Sequence, residues 1–156
     1  MVERVEDIAL GLLSGWGVRG LVLDLDNTMV PWNTADVSAQ VRAWVSGLRS
    51  AGFGMCVLTN NYTRRASSVA ELLEIPIIKG ALKPSPLAFR SALRRLDLAA
   101  AQTAAVGDQV FTDVLGGKLL GMRTVLVTPL STREFPTTKI VRWLERPLRA
   151  RLRRGA

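Results

Sequence analysis

The sequence of 156 residues contains no histidine and only one cysteine, Cys56. Without histidine, Ser-His-Asp catalysis, Cys-His catalysis and zinc sites with histidine ligands are all excluded. A single cysteine cannot form an internal disulfide, so the chain does not need an oxidising compartment. Because Cys56 lies within an apolar run, we expect a small buried side chain rather than a reactive thiol. Any chemistry must therefore use carboxylates, lysine, hydroxyls, backbone amides and hard metal ions.

Long uncharged hydrophobic stretches are also absent. No segment reaches the roughly 20 apolar residues that a transmembrane helix requires. The N-terminal residues 1–7 are acidic, and the apolar stretch after them is short and interrupted by glycines, which does not fit a signal peptide. We therefore expect a soluble, cytoplasmic protein.

Positive charge is unevenly distributed along the chain, whose formal net charge is +8. Within residues 139–156, one lysine and six arginines against one glutamate give +6, which leaves +2 for the rest. Residues 137–156 are therefore predicted to form a basic C-terminal helix or arm, interrupted by Pro147. Its arginines surround Trp143 and several leucines, as in helices that lie on membranes. A solvated terminus or a nucleic-acid arm would have the same composition.

Short apolar runs typical of strands alternate with segments in which apolar residues have helical spacing. This alternation predicts an α/β fold, with three α/β/α layers around a parallel sheet, in a single domain spanning residues 1–156. No internal repeat or linker interrupts the pattern. The predicted strands are 21–24, 53–58, 75–78, 103–106 and 124–127, and the predicted helices are 8–16, 37–48, 69–73, 87–96, 112–120 and 137–154.

The first predicted strand leads directly into two carboxylates, Asp24 and Asp26. Two residues separated by one position share a face of an extended backbone. Asn27 and Thr28 then supply residues that favour a turn. In isolation, an ordinary strand followed by a polar turn would account for the same residues.

Polar residues also follow three later strands: Thr59 with Asn60, then Lys83, then Asp108. Taken singly, these would be a helix cap, a solvated loop lysine and a turn former. In a doubly wound sheet, however, the carboxyl ends of the strands converge at one edge. The combined set of carboxylates, hydroxyl and lysine suits phosphoryl transfer through a carboxylate with Mg²⁺.

In this order, the segments resemble the four motifs of the haloacid dehalogenase (HAD) superfamily of phosphatases. DLDNT resembles the first motif, Thr59 the second, Lys83 the third and GDQVFTD the fourth. The segments LTNN, ALKPSP, GDQVFTDVLGG and TKIVRWLERPL further resemble the YqeG-type branch, subclass IIIA, which is similar to phosphatidylglycerophosphate phosphatases. The resemblance implies a Rossmann-like HAD fold, and the short intervals between motifs leave no room for a cap domain.

The resemblance implies a role for each matched residue. Asp24 would be the nucleophile, which forms an aspartyl-phosphate and divides hydrolysis into two steps. Asp26 would protonate the leaving oxygen and then accept a proton from the attacking water. Thr59 and Asn60 would bind phosphoryl oxygens near a helix N-terminus. Lys83 would offset the repulsion between the nucleophile and the phosphate.

A Mg²⁺ site formed by Asp24, the backbone carbonyl of Asp26, and Asp108 is also implied. Mg²⁺ prefers a few carboxylates together with waters and phosphate oxygens. Asp113 is expected to support these ligands by hydrogen bonding, with direct ligation as the alternative.

We therefore predict a Mg²⁺-dependent phosphomonoester hydrolase with an open site. The first substrate candidate is phosphatidylglycerophosphate or a similar lipid head group, with peripheral contact at the inner face of the membrane through the basic C-terminus. A soluble sugar phosphate or nucleotide is the second. A non-catalytic RNA- or ribosome-binding protein is the rival reading, but a scaffold gains nothing from the intact motif set. Arg64 and Arg65 are expected on a solvated helix face, with substrate contact as the alternative.

Overall fold

A computed structural model describes residues 1–131, and a five-stranded parallel sheet forms their centre. The strands are β1 (Gly20–Leu23), β2 (Gly54–Leu58), β3 (Ile77–Ile78), β4 (Thr103–Gly107) and β5 (Arg123–Leu126). The helices are α1 (Leu10–Gly15), α2 (Ala39–Ser50), α3 (Arg64–Leu72), α4 (Pro86–Leu96) and α5 (Leu115–Leu119). Short 3-10 turns cover Val5–Asp7 and Ala100–Gln102, and a π-helical turn covers Val110–Val114.

The order of the strands across the sheet is β3-β2-β1-β4-β5. The chain builds outward from β1 to β3, then crosses back to place β4 on the other side of β1. This reversal leaves a crevice at the carboxyl ends of β1 and β4, which is where doubly wound sheets bind their ligands.

Side chains of the three central strands alternate between two apolar clusters. Leu21 and Leu23 of β1 pack into one cluster with residues of α2 and α3, whereas Val22 packs into the other with Phe89 of α4. Cys56 of β2 lies in the second cluster, and burial raises the pKa of its thiol to about 11. A sheet covered on both faces confirms the predicted three-layer α/β fold and the predicted buried cysteine.

Local sequence signals account for the start of two helices and for the buried face of one of them. Ser38 caps α2 by accepting a hydrogen bond from Val41 N at 3.1 Å, and Pro86 occupies the first turn of α4. The apolar face of α2 is buried, and the indole nitrogen of Trp44 donates to Ile8 O at 3.0 Å. Trp44 is thus a core residue with its polar atom satisfied.

Several boundaries differ from the sequence prediction, most of all the start of α3, which lies at Arg64 instead of residue 69. Strand β1 ends at Leu23, although Asp24 N still donates to Val106 O. The first helix begins at Leu10 instead of residue 8, because Ala9 has extended backbone angles. The predicted helix 112–120 is a π-helical turn followed by the short α5, since Asp113 and Val114 both donate to Gln109 O.

Residues 1–131 contain no domain inserted between β1 and α2 or between β2 and β3. None of the helices in this range has the length and apolar character needed to cross a membrane. The predicted basic helix or arm at 137–156 and the predicted helix 137–154 lie outside the described residues.

Candidate active site

A cavity of about 340 Å³ opens at the carboxyl ends of β1 and β2. All five residues that the sequence predicts for catalysis and substrate binding border it. The cavity is lined by Asp24, Asp26, Asn27, Trp32, Thr59, Asn60, Asn61, Tyr62, Thr63, Lys83, Gln109 and Thr112. Asp24 and Lys83 are in direct contact there, although they are 59 positions apart in the chain.

Lys83 forms two buried ion pairs at the floor of the site. Its Nζ lies 2.5 Å from Asp24 Oδ1 and 2.6 Å from Asp113 Oδ1. Thr28 donates its hydroxyl to the other oxygen of Asp24 at 3.1 Å, and Gln109 N donates to the other oxygen of Asp113 at 3.2 Å. Both carboxylates are therefore held in fixed orientations around one ammonium.

Burial governs the ionisation of this group. The pKa of Asp24 is raised to about 7, chiefly by desolvation and also by the nearby charges of Asp113 and Asp108, while the attraction of Lys83 opposes the rise. Burial alone would lower the pKa of Lys83, but the carboxylates of Asp113 and Asp24 outweigh it and raise that pKa above its usual range. Lys83 is therefore a permanent cation at neutral pH, and Asp24 requires positive charge in addition to Lys83 to ionise fully.

Three buried carboxylates lie close enough to share a metal ion. Asp24, Asp108 and Asp113 each offer an oxygen, and these atoms all lie within 4.8 Å of one another. An all-oxygen set of acidic ligands fits a hard cation such as Mg²⁺. The side chain of Asp26 is not in this cluster; the sequence prediction concerned its backbone carbonyl.

Gly107 allows the cluster to close. A Cβ built on Gly107 would overlap the carboxyl group of Asp113, so the close approach of Asp113 to β4 requires glycine at this position. The packing of Asp113 against the end of β4 thus explains the glycine of the GDQVFTD segment.

Asp26 points to a different set of partners. Arg65 Nη2 lies 2.6 Å from Asp26 Oδ1, which also accepts from Asn33 N at 3.2 Å. Asn61 Nδ2 donates to Asp26 Oδ2 at 3.0 Å. Arg65 is mostly buried, so the expected solvated position was wrong for it, whereas Arg64 is exposed as expected.

Thr59 and Asn60 connect the end of β2 to the lysine segment. Thr59 is buried, and its Oγ1 accepts a hydrogen bond from Asn61 N at 3.1 Å. A hydroxyl that accepts in this way can still donate its own proton. Asn60 Oδ1 accepts from Lys83 N at 2.7 Å, so Asn60 also holds the segment that carries the lysine.

Asn27 and Thr28 build the turn after β1, as the sequence indicates. Asn27 has a left-handed backbone with φ of 63°, and its Oδ1 accepts hydrogen bonds from Trp32 N and from Ser131. The turn therefore holds the backbone that follows the two acids, and Thr28 contributes the contact to Asp24.

Asn61, Arg65 and Gln109 are site residues that the sequence analysis did not assign. A signal for Arg65 was present, because Arg65, Val69 and Leu73 follow the i, i+4, i+8 spacing of a buried helix face. A charged residue in such a stripe requires a partner. For Gln109 no sequence signal exists, since its contribution is a backbone N–H.

The chain is similar to several known proteins. A family model described as HAD-hydrolase-like matches residues 81–138. The chain is 35% identical over 153 residues to the probable phosphatase YqeG of Bacillus subtilis, covering 98% of this chain and 89% of that protein. It is 29% identical over 133 residues to the chloroplastic phosphatidylglycerophosphate phosphatase 1 of Chlamydomonas reinhardtii, covering 80% of this chain but 49% of that protein.

Among solved structures, the fold is similar to that of the 3-deoxy-D-manno-octulosonate 8-phosphate phosphatase of Moraxella catarrhalis. The TM-score is 0.52 at 16% sequence identity, with 65% of each chain covered. That structure was determined with a magnesium ion, a phosphate ion and a sugar acid bound. At this identity the likeness concerns the fold.

Proposed function

The chain belongs to the YqeG-type branch of the HAD superfamily of phosphatases, and on this premise we propose that it hydrolyses phosphomonoesters through an aspartyl-phosphate on Asp24. The observation that carries the proposal is the contact between the buried carboxylate of Asp24 and the ammonium of Lys83 at the floor of the cavity. A carboxylate beside a fixed cation can meet a phosphate dianion, which would otherwise repel it.

In the first step, an Asp24 carboxylate oxygen attacks the phosphorus, and the bond from phosphorus to the leaving oxygen breaks. Asp26 gives a proton to that leaving oxygen. In the second step, water attacks the phosphorus of the aspartyl-phosphate, the bond to Asp24 breaks, and Asp26 accepts the proton of the water. Asp24 and Asp26 both line the cavity, which supports these roles of nucleophile and of acid and base.

Lys83 and Thr59 bind the transferred group in this proposal. Lys83 neutralises charge between Asp24 and the phosphoryl oxygens. Thr59 donates its hydroxyl to one of those oxygens, and Asn60 adds its side-chain amide. Asn61, Tyr62 and Thr63, which precede α3, also line the cavity, and the positive end of the helix dipole on that side favours an anion.

Mg²⁺ is the cofactor that the acidic cluster fits. Asp24 and Asp108 would hold it with the backbone carbonyl of Asp26, and Asp113 would either join them or orient Lys83 beside them. When bound, Mg²⁺ would neutralise phosphoryl charge and favour the ionised form of Asp24. The remaining chemistry is assigned to the side chains of the chain itself.

For the substrate, we propose a phosphorylated lipid head group such as phosphatidylglycerophosphate. Tyr62, Leu82 and Leu87 are 68%, 70% and 70% exposed, the highest values among the large apolar side chains of residues 1–131. Tyr62 lines the cavity, and the leucines flank the segment that carries Lys83. An exposed apolar rim beside a phosphate site suits contact with a lipid surface.

The charge around this rim also suits an anionic bilayer. Residues 75–90 contain Lys79, Lys83 and Arg90 and no acidic residue, and Lys83 is already paired inside the site. Lys79 and Arg90 are exposed. Each basic residue near an anionic surface contributes about 1 kcal/mol to binding. The chloroplastic relative that acts on phosphatidylglycerophosphate is consistent with this substrate class.

The enzyme assignment is tested by phosphate release from p-nitrophenyl phosphate with Mg²⁺, together with mass spectrometry of acid-quenched protein. We expect turnover and a phosphorylated peptide that contains Asp24. A phosphorylated peptide elsewhere, or no release of phosphate from any ester in a broad panel, would contradict the assignment.

The lipid assignment is tested separately with phosphatidylglycerophosphate in vesicles. Leu82→Asn combined with Leu87→Gln should lower turnover in vesicles at least tenfold and leave p-nitrophenyl phosphate turnover unchanged. Asparagine suits the left-handed backbone of Leu82, whose φ is 52°. The matched control is Leu72→Gln combined with Leu119→Gln, whose leucines are 54% and 57% exposed. It should change neither rate. Efficient turnover of soluble sugar phosphates or nucleotides, with none in vesicles, would favour a soluble substrate instead.

A further inference from the structure

Arg65 connects α3 to two positions of the loop between β1 and α2, next to the cavity. It lies in the first turn of α3, and its Nη1 donates to Thr34 O at 2.6 Å. Its Nη2 donates to Asp26 Oδ1, also at 2.6 Å. The side chains of Arg65 and Asp26 are only 15% and 18% exposed, so this contact is largely shielded from water. One guanidinium thus connects α3 to the start and to the later part of the loop between β1 and α2.

We propose that Arg65 is the positioning residue for Asp26, and that it sets the direction in which Asp26 exchanges protons with the leaving oxygen and with water. This inference rests on the proposed function, in which Asp26 is the catalytic acid and base. Arg65 itself does not line the cavity, so it acts through Asp26 and not on the substrate.

The contacts of Asp26 define its orientation from two sides. Arg65 and Asn33 N bind Oδ1, while Asn61 Nδ2 binds Oδ2. A carboxylate held through both oxygens has little freedom to rotate, and a planar guanidinium fixes direction better than an ammonium does. Proton transfer requires the donor and acceptor to lie within hydrogen-bond reach, so a small rotation of Asp26 would slow it.

Thr34 provides the second anchor. Its carbonyl receives the other arm of the guanidinium, which prevents Arg65 from following Asp26 if the carboxylate moves. Thr34 belongs to the segment between β1 and α2, and its hydroxyl donates to Pro31 O at 3.1 Å. The loop to which Arg65 is anchored is therefore itself held by an internal hydrogen bond.

A purely structural role for Arg65 makes a different kinetic prediction. Loss of the Arg65 contacts with Asp26 and Thr34 would then lower the folded fraction or widen the cavity. The turnover of all esters would fall to the same extent. A positioning role affects most the esters whose leaving oxygen needs a proton. Phenyl phosphate and p-nitrophenyl phosphate separate the two roles, because they have similar shapes but the nitrophenolate leaves without protonation far more easily.

The experiment compares both esters in Arg65→Met, Arg65→Lys and the neighbouring control Arg64→Met. For Arg65→Met we expect kcat on phenyl phosphate to fall about a hundredfold and kcat on p-nitrophenyl phosphate to fall less than tenfold, within the range of general acid catalysis. Arg65→Lys keeps a cation without the planar fork, so its loss should be intermediate. Arg64 is exposed, and Arg64→Met should leave both rates unchanged.

An equal loss on both esters, in a variant that keeps the wild-type thermal transition, would overturn the proposal. Arg65→Lys supplies this comparison if Arg65→Met does not fold. In an Asp26→Asn background, Arg65→Met should add less than a twofold further loss on phenyl phosphate, because the group that it positions is gone. Full additivity of the two losses would also overturn the proposal. If the wild-type protein hydrolysed neither ester, this result would instead contradict the proposed function.

Discussion

Lys83 and Asp24 form a buried ion pair in which Nζ lies 2.5 Å from Oδ1, although the two residues are 59 positions apart in the chain. The same ammonium binds Asp113 at 2.6 Å, so one cation serves two acids. Removing the ammonium or a carboxylate leaves buried charge uncompensated. These ion pairs therefore determine how the site should respond to substitution, pH and metal.

Replacing Asp24 by asparagine should abolish turnover while the fold persists. The amide keeps the shape of the side chain but cannot attack phosphorus. We expect turnover to fall by several orders of magnitude, equivalent to about 4 kcal/mol or more of lost transition-state stabilisation. Steady-state kinetics and circular dichroism measure the two quantities. Retention of a tenth of the wild-type rate would show that another residue is the nucleophile.

Replacing Lys83 by methionine should cost both activity and stability. Two carboxylates would remain buried beside each other without their cation, and loss of one partner of such a pair costs about 3–5 kcal/mol. Urea denaturation of metal-free protein measures this loss. A second substitution, Asp113→Asn, should restore part of the stability but none of the activity. Wild-type stability in Lys83→Met would contradict the observed ion pairs.

The free energy of unfolding of metal-free protein should depend on Asp24 between about pH 4 and 7. Because the folded pKa is raised from 3.8 to about 7, the folded state binds more protons than the unfolded state in this window. The contribution of Asp24 is therefore fully present below pH 4 and declines as pH rises towards 7.

The difference in free energy of unfolding between wild type and Asp24→Asn isolates this contribution. Asparagine mimics the neutral acid at every pH, so wild type should lose stability relative to the variant as pH rises from 4 to 7. Urea titrations at several pH values provide the measurement. A difference that stays constant, or that favours wild type at higher pH, would show that Asp24 is ionised throughout.

Turnover should require Mg²⁺, and Ca²⁺ should inhibit it. Ca²⁺ binds more ligands at longer distances, which would misplace the phosphate between Asp24 and Lys83. Activity is measured after treatment with a chelator, and then with each ion added back. Full activity in the chelated protein would exclude a metal role for the Asp24, Asp108 and Asp113 cluster.

The sequence predicted the architecture of this protein well because its signals are local. Apolar runs fixed the centres of the strands, and the turn residues Asn27 and Thr28 marked the end of β1. Alternation of strands and helices implied a parallel sheet, and the sheet brings Asp24, Thr59 and Lys83 to one edge. The boundaries near Asp113 were less accurate, because the contact of that acid with Lys83 accompanies a π-helical turn instead of a regular helix.

By itself, the sequence determined which chemical groups the site contains and which it excludes: carboxylates, a lysine and hydroxyls, with no histidine. Only the tertiary structure decided which basic residue each acid binds, with Asp24 bound to Lys83 and Asp26 bound to Arg65. The reason is physical. A buried charge takes whichever opposite charge the fold brings within contact, and Arg65 and Asp26 are 39 residues apart along the chain. No local pattern encodes a contact of that kind.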